Sequence, residues 1–519
     1  MTAETPRYYL TTPIYYANDV PHIGHAYTTL ACDMIARFKR LDGQDVFFLT
    51  GTDEHGQKVQ KSAEKAGVDP LAFCDTMAAR FQHLNDTLNI SADRFIRTTE
   101  AQHIEAAQAL WRRLEERGHI YLDSYAGWYS VRDEAFYQEK ELIDGPGNTR
   151  LAPTGAPVEW VEELSYFFDL SRWQEPLLTL YHECPDFVLP KARLNEVKSF
   201  VGGGLKDLSI SRTTFDWGVP VPGADGHVMY VWIDALTNYL TGVGFPDQDS
   251  APYQRFWPAD LHMIGKDILR FHAVYWPAFL MAAELPVPRR VFAHGWWTNE
   301  GQKISKSLGN VIDPFQLVEE FGLDPVRYFL MREVPFGQDG DFARTAFVQR
   351  CNAGLANGLG NLAQRSLSMI AKNCDGRVPQ PAAFSDEDTA YLAEVDSALP
   401  AVRPLIEAQA LNEALAAIWA RVGAGDQYVA AQAPWTLKKT DAARMATVLY
   451  VAAEAVRQIA VLAQIIVPDA AARLLDQLAV PAHARGFDRL GPAGRLVPGT
   501  ALPAPQGTFP RLQFPEEAA

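Results

Sequence analysis

The sequence predicts an α/β protein in which a doubly wound parallel sheet is split by an insertion and followed by an all-α domain. Two β-prone runs, Tyr8 to Thr12 and Asp45 to Thr50, bracket a helical pattern in which Tyr27, Leu30, Ala31, Met34, Ile35, Phe38 and Leu41 recur at three and four residues. Strand, helix, strand is how such a sheet begins, and its ligands lie beyond the carboxyl ends of the strands. Between 120 and 226 the texture changes to aromatic and β-branched residues broken by turns such as Gly145-Pro146-Gly147-Asn148, after which strand-like runs resume. From Arg350 onward apolar residues keep helical spacing almost without a break.

A chain of 519 residues has room for about three to four domains. The expected division is 1–119 and 227–300 for the two halves of the sheet domain, 120–226 for the insertion, 301–349 for a loop and connecting region, 350–496 for the helical domain and 497–519 for an extended proline-rich tail. A net charge of -16 excludes a generally basic nucleic-acid binder, but not a local basic face on an acidic body. The five cysteines are scattered without a Cys-x-x-Cys pair, which indicates neither a disulfide framework nor a cysteine zinc knuckle and suits a reducing cytoplasm. The N-terminus has no apolar signal core, and the most apolar late window, Val448 to Val467, is broken by Glu454 and Arg457, so it reads as packed helix rather than membrane span.

In chain order, Pro13 to His25 joins the first strand to the first helix, which Gly43 closes. His22 and His25 therefore sit where free N–H groups and the positive helix end favour an anion such as phosphate, and Gly24 allows close backbone approach. Taken alone, the pair reads equally well as surface or capping histidines. Asp53, in the polar segment after the second strand, reads either as an anchor for an ammonium group or as the N-cap of a helix starting near Gly56. Residues 57 to 118 look helical throughout. Three strand runs follow the insertion: Val228 to Ala235, Leu261 to Asp267 and Arg290 to Gly295. The last leads into Gly301 to Ser307, whose Lys303 and Lys306 suit a polyphosphate, although an isolated Lys-x-x-Lys reads first as a solvated loop.

His22-Ile23-Gly24-His25 and Lys303-Ile304-Ser305-Lys306-Ser307, in that order on two halves of a split sheet, resemble the signature pair of the class I aminoacyl-tRNA synthetases. The resemblance implies a Rossmann-type sheet with an inserted connective domain and a helical anticodon-binding domain. Within that class the chain resembles the methionyl-tRNA synthetase family over nearly all its length. The residues that carry this are Thr12 to Asn18, Thr50 to Gly56, Tyr230 to Ala235, Gly265 to His272, Tyr275-Trp276-Pro277, Asn361 to Arg365 and Ala433-Pro434-Trp435. Valyl, isoleucyl and leucyl enzymes carry a large editing insertion for which 120–226 is too short.

The resemblance implies that L-methionine attacks ATP to give methionyl-adenylate and pyrophosphate, and that methionine then passes to the 3′ end of tRNA(Met). Positioning and charge stabilisation dominate such chemistry. His22, His25, Lys303 and Lys306 would act on the phosphates, with Asn18, Gly24, Gly265, Asp267, His294 and Ser305 as further ATP neighbours and Mg2+ bridging the leaving pyrophosphate. Ile14, Tyr16, Trp232, Ala235, Tyr239, Phe271, His272 and Trp276 would surround the thioether, Asp53 would hold the α-ammonium, and a donor from Tyr16 or His272 would meet the sulfur. Asn361, Arg365 and Trp435 would read the anticodon.

The sequence departs from the family pattern in the insertion. Many members carry paired zinc-binding cysteines there, whereas Ser130 to Asp133 and Leu151 to Gly155 stand in their places, so no zinc is expected. The chain ends soon after the helical domain, leaving no room for the C-terminal module that dimerises some relatives, and a cytoplasmic monomer with no membrane association is expected.

Overall fold

The structure is a computed structural model that describes residues 5–514 apart from 19, 134 and 305–308. Strand β1 (Arg7–Thr11) is buried from Tyr8 onward, as a strand covered on both faces of a parallel sheet must be. After the short β2 (Tyr15–Tyr16), helix α1 (Ile23–Leu41) runs back along the sheet and stops where Gly43 takes a φ of +81°. Strand β3 (Asp45–Asp53) extends three residues beyond the apolar run read from the sequence, so Asp53 is its last residue rather than part of a loop.

The span 57–118 is not helical throughout. Between α2 (Gln57–Ala66), α3 (Pro70–Thr87) and α4 (Ala101–Glu116) lies β4 (Arg94–Arg97), which pairs in parallel with β3. Arginines at both ends of β4 hide it from a hydrophobicity reading. Its imprint is Gly51, where an added Cβ would lie 2.0 Å from the Ile96 carbonyl oxygen.

The insertion carries an antiparallel pair, β5 (Ile120–Ser130) with β6 (Glu159–Phe168). The stretch up to 226 also contains helices Gln174–Glu183 and Lys191–Gly202 and a strand, β7 (Val188–Leu189), that belongs to the main sheet. A second correction concerns Val228 to Ala235, where only Val228–Met229 is strand and α5 (Val231–Leu236) follows. A short apolar run fits a buried strand and a buried helix equally, and here the helix wins because it turns Trp232 and Ala235, three apart, to the same side. Strands β8 (Leu261–Gly265) and β9 (Val291–His294) complete a parallel sheet in the order β7-β9-β8-β1-β3-β4, with β2 alongside the end of β3. Strands from the two halves of the sheet therefore meet at β1 and β8.

Helix α6 (Leu323–Arg332) leads to the helical domain, which contains α7 (Asn361–Asn373), α8 (Leu411–Gln432), α9 (Pro434–Thr440), α10 (Ala442–Ala463) and α11 (Pro468–Gln477). One apolar core joins this domain to the α1 face of the sheet, and a second fills the opposite face. By length and composition alone α10 could cross a membrane, but it lies almost wholly inside the protein, with Glu454 and Arg457 paired at 2.7 Å. Residues 497–514 are extended and held to the body, with Gly499 donating to the Val378 carbonyl at 2.8 Å and Leu512 to Asn352 Oδ1 at 2.8 Å.

Candidate active site

The carboxyl ends of the sheet strands surround a cavity of about 560 Å³. Ile14, Tyr16, His22, Gly24, His25, Asp53, Trp232, Ala235, Tyr239, Gly265, Asp267, His272, His294 and Lys303 all line it. Asn18 sits in the turn after β2, Phe271 stacks on Trp232 with centroids 3.7 Å apart, and Trp276 is fully buried behind Tyr239; none of the three lines the cavity. Ser305 and Lys306 fall outside the described residues.

At one end of the cavity His22 is the N-cap of α1. Its Nδ1 accepts the Gly24 N–H at 3.1 Å, while its own backbone N–H donates to His25 Nδ1, also at 3.1 Å. Each neutral ring therefore carries its proton on Nε2. Capping thus occupies Nδ1 of both side chains. The rings lie 3.8 Å apart, and His25 is packed against Tyr15 and Phe81. Burial and the neighbouring His22 hold His25 well below the usual histidine range, so it is neutral. Gly24 has to lack a side chain, because a Cβ would meet His22 Cε1 at 2.9 Å.

At the adjoining end, His294 Nδ1 donates to the Gly295 carbonyl at 2.8 Å and its Nε2 lies 2.7 Å from the Thr28 hydroxyl. Burial keeps His294 neutral, which leaves Nε2 to accept. Asp267 folds back over Gly265, where a Cβ would come within 2.5 Å of its Oδ1, and the same oxygen accepts the Trp296 indole N–H at 3.1 Å. Trp296 is 48% exposed at the cavity rim, with Lys266 Nζ 4.3 Å from its ring. No sequence motif singles out Trp296 or Thr28, which also line the cavity, although Trp296 lies just beyond the carboxyl end of β9, where ligands of such sheets gather.

The third part is aromatic. Tyr239 donates its hydroxyl hydrogen to His272 Nε2 at 2.7 Å, and His272 Nδ1–H donates to the Ile268 carbonyl at 3.0 Å. Burial drives the His272 pKa down to about 4, which fixes it as neutral. The Tyr16 hydroxyl donates to the His55 carbonyl at 2.8 Å. The donors expected to meet a thioether from Tyr16 or His272 are therefore committed elsewhere, and the surface offered here is aromatic edge and face. Asp53 stands at this end, only 6% exposed, with its carbonyl accepting the Ala17 N–H at 2.8 Å.

In the helical domain Trp435 is 46% exposed and the Arg365 guanidinium carbon lies 5.6 Å from its ring centre. Asn361 sits one turn before Arg365 on α7 and so shares its face. In the insertion, the Arg132 guanidinium donates to the Thr154 carbonyl at 2.9 Å and Asp133 accepts from the Thr154 hydroxyl, so side-chain hydrogen bonds join the two turns. Among the described residues no group of three or more His, Cys, Asp or Glu is placed to hold a metal ion.

A split parallel sheet with paired histidine donors at one helix start, joined to a helical domain with an exposed aromatic and arginine, is the plan of a class I aminoacyl-tRNA synthetase. A family profile described as tRNA synthetases class I (M) matches residues 8–367, and one described as the anticodon binding domain of methionyl tRNA ligase matches 378–518. The chain is 59% identical to the methionine–tRNA ligase of Rhizobium meliloti over 513 residues, 99% of either chain, and 58% identical to that of Mycobacterium tuberculosis over 516 residues, 98% of either. Among solved structures, the M. tuberculosis methionyl-tRNA synthetase in complex with methionyl-adenylate superposes with a TM-score of 0.96, at 58% identity over 98% of this chain and 100% of that one. The free form of that enzyme gives 0.89, at 54% identity over 99% and 100%. The chain belongs to the methionyl-tRNA synthetase family, and its reaction is the ligation of methionine to tRNA.

Proposed function

We propose that methionine and ATP meet in the 560 Å³ cavity and that its three parts divide the work. The observation that carries this reading is the presence in one space of a buried carboxylate, an aromatic wall and the two imidazoles of His22 and His25. Asp53 holds the methionine ammonium. Ile14, Tyr16, Trp232, Ala235, Tyr239 and His272 enclose its side chain, with Phe271 and Trp276 backing that wall. The carboxylate of methionine is thereby aimed at the ATP α-phosphate, whose developing charge His22 and His25 stabilise through Nε2–H, joined by Lys303 and Lys306. Gly265, Asp267, His294 and Asn18 meet the adenosine, and Ser305 is a further ATP neighbour.

No cluster of described carboxylates is placed to hold a resident metal. Magnesium is read as arriving with ATP, as part of the substrate. Asn361, Arg365 and Trp435 read the anticodon of tRNA(Met), by base-edge hydrogen bonds and stacking. All five cysteines are unpaired, which supports a cytoplasmic location, and a monomer is the state to be checked by sedimentation.

Methionine-dependent pyrophosphate exchange tests the reading. Asp53→Asn should raise KM for methionine at least about 10-fold with KM for ATP little changed, because only the methionine site loses a charge partner. An unchanged KM for methionine would remove Asp53, and with it the orientation proposed here.

A further inference from the structure

Asp234 is fully buried in α5, between the cavity residues Trp232 and Ala235, yet it does not line the cavity. Its two oxygens accept from two histidines on other elements. His55 Nδ1–H donates to Oδ2 at 2.7 Å, and His103 Nε2–H, from α4, donates to Oδ1 at 2.8 Å. His103 Nδ1 lies 3.1 Å from the Thr241 hydroxyl. The partners are 179 and 131 residues from Asp234 in sequence.

The value of this arrangement lies in what His55 also holds. It follows Asp53 by two residues at the end of β3, and its backbone carbonyl accepts the Tyr16 hydroxyl. One residue thus touches the Tyr16 wall through its backbone and the α5 wall through its ring, beside the carboxylate read as the ammonium anchor. Glu54, between Asp53 and His55, is locked by Arg97 at 2.7 Å, so the end of β3 is a fixed platform. The α5 wall is joined to it through Asp234.

We propose that the His55–Asp234–His103 clamp is a positioning device for methionine, setting the distance between the Asp53 anchor and the Trp232–Ala235 wall. The proposal rests on the reading of this cavity as the methionine site. The physical reason for a carboxylate here is that it accepts from two donors at once and ties both histidines to one helix. A displacement of about 1 Å at a substrate wall is enough to cost up to about 100-fold in rate.

The replacements that break the clamp are His55→Ala and Asp234→Ala. Those that preserve its hydrogen bonds are His55→Asn, which keeps a donor at the Nδ1 position, and Asp234→Asn. Asp234→Asn stays satisfied because His103 can switch its proton to Nδ1, donate to Thr241 and accept the new amide N–H. In pyrophosphate exchange the alanine variants should raise KM for methionine at least about 10-fold and KM for ATP less than about 2-fold, and the asparagine variants should return KM for methionine to within about 3-fold of wild type. Lower melting temperatures with both KM values unchanged, or both raised together, would overturn the proposal and leave a purely structural pair. Should Asp234→Ala fail to fold, His55→Ala against His55→Asn decides. Asp53→Asn, assayed alongside, separates the two ideas: no effect there sinks the reading of the site, whereas an effect there with none at His55 sinks the clamp alone.

Discussion

Arg327 and Asp33 pair at 2.6 Å with neither side chain reaching solvent. Asp33 lies on α1, the helix that His22 caps, and Arg327 lies on α6. The same guanidinium donates to the Ile466 carbonyl beyond α10 at 2.9 Å and to the Leu88 carbonyl after α3 at 2.8 Å. Asp33 also accepts from Arg37 and from Ser91. One buried cation thus joins the active-site helix to the helical domain.

Asp33→Asn leaves that guanidinium without its counter-charge, and breaking one side of a buried pair costs about 3–5 kcal/mol. Denaturant titrations followed by circular dichroism and by fluorescence should show the loss at both probes. A midpoint equal to wild type would refute it.

His22→Asn separates capping from catalysis. Asparagine is a good N-cap, so the melting temperature should stay within about 2 °C, the effect of a few tenths of a kcal/mol at most. The Nε2–H donor is gone, and pyrophosphate exchange should fall about 100-fold or more. Loss of stability in step with activity would assign the residue to the fold alone.

Trp435→Ala should leave methionine-dependent pyrophosphate exchange intact and lower kcat/KM for tRNA charging about 5- to 150-fold, the equivalent of a base stack worth about 1–3 kcal/mol. Equal losses in both assays would remove Trp435 from tRNA recognition.

The buried histidines set an acid limit. The His272 pKa is about 4 in the folded protein, against about 6.5 for a free histidine. Between these values the unfolded chain binds the extra proton and the folded one does not, so stability is full above about pH 6.5 and falls as pH drops toward 4, by about 3 kcal/mol in total. His25 and His262, both held low by burial, act in the same direction. Melting temperatures between about pH 7.5 and 5 check this. His272→Gln, able to accept from Tyr239 and donate to Ile268, should show the shallower decline, and parallel curves would count against His272 as a source.

In the insertion, hydrogen bonds join Arg132, Asp133 and Thr154, none of which offers a thiolate. Metal analysis of the purified protein should find no stoichiometric zinc, and strong chelators should leave its melting temperature unchanged. One zinc per chain would refute this.

The sequence by itself determined what depends on near neighbours. The three- and four-residue spacing of α1, the apolar runs of β1, β3, β8 and β9, the helical second half, and the residue types at His22, His25, Asp53 and Trp435 are all local signals, and one periodicity or turn specifies each. Tertiary structure alone decided what depends on distant partners. It made Val231–Leu236 a helix rather than a strand, drew Val188–Leu189 out of the insertion into the sheet, and paired β4, whose terminal arginines mask it in the sequence, with β3. It also assigned protons. His22 and His25 carry their protons on Nε2 because backbone groups occupy Nδ1, whereas His272 spends both nitrogens on Tyr239 and Ile268. The Asp234 carboxylate meets its histidines across more than a hundred residues, and satisfying a buried charge is a property of the packed interior that leaves no trace in the adjoining sequence.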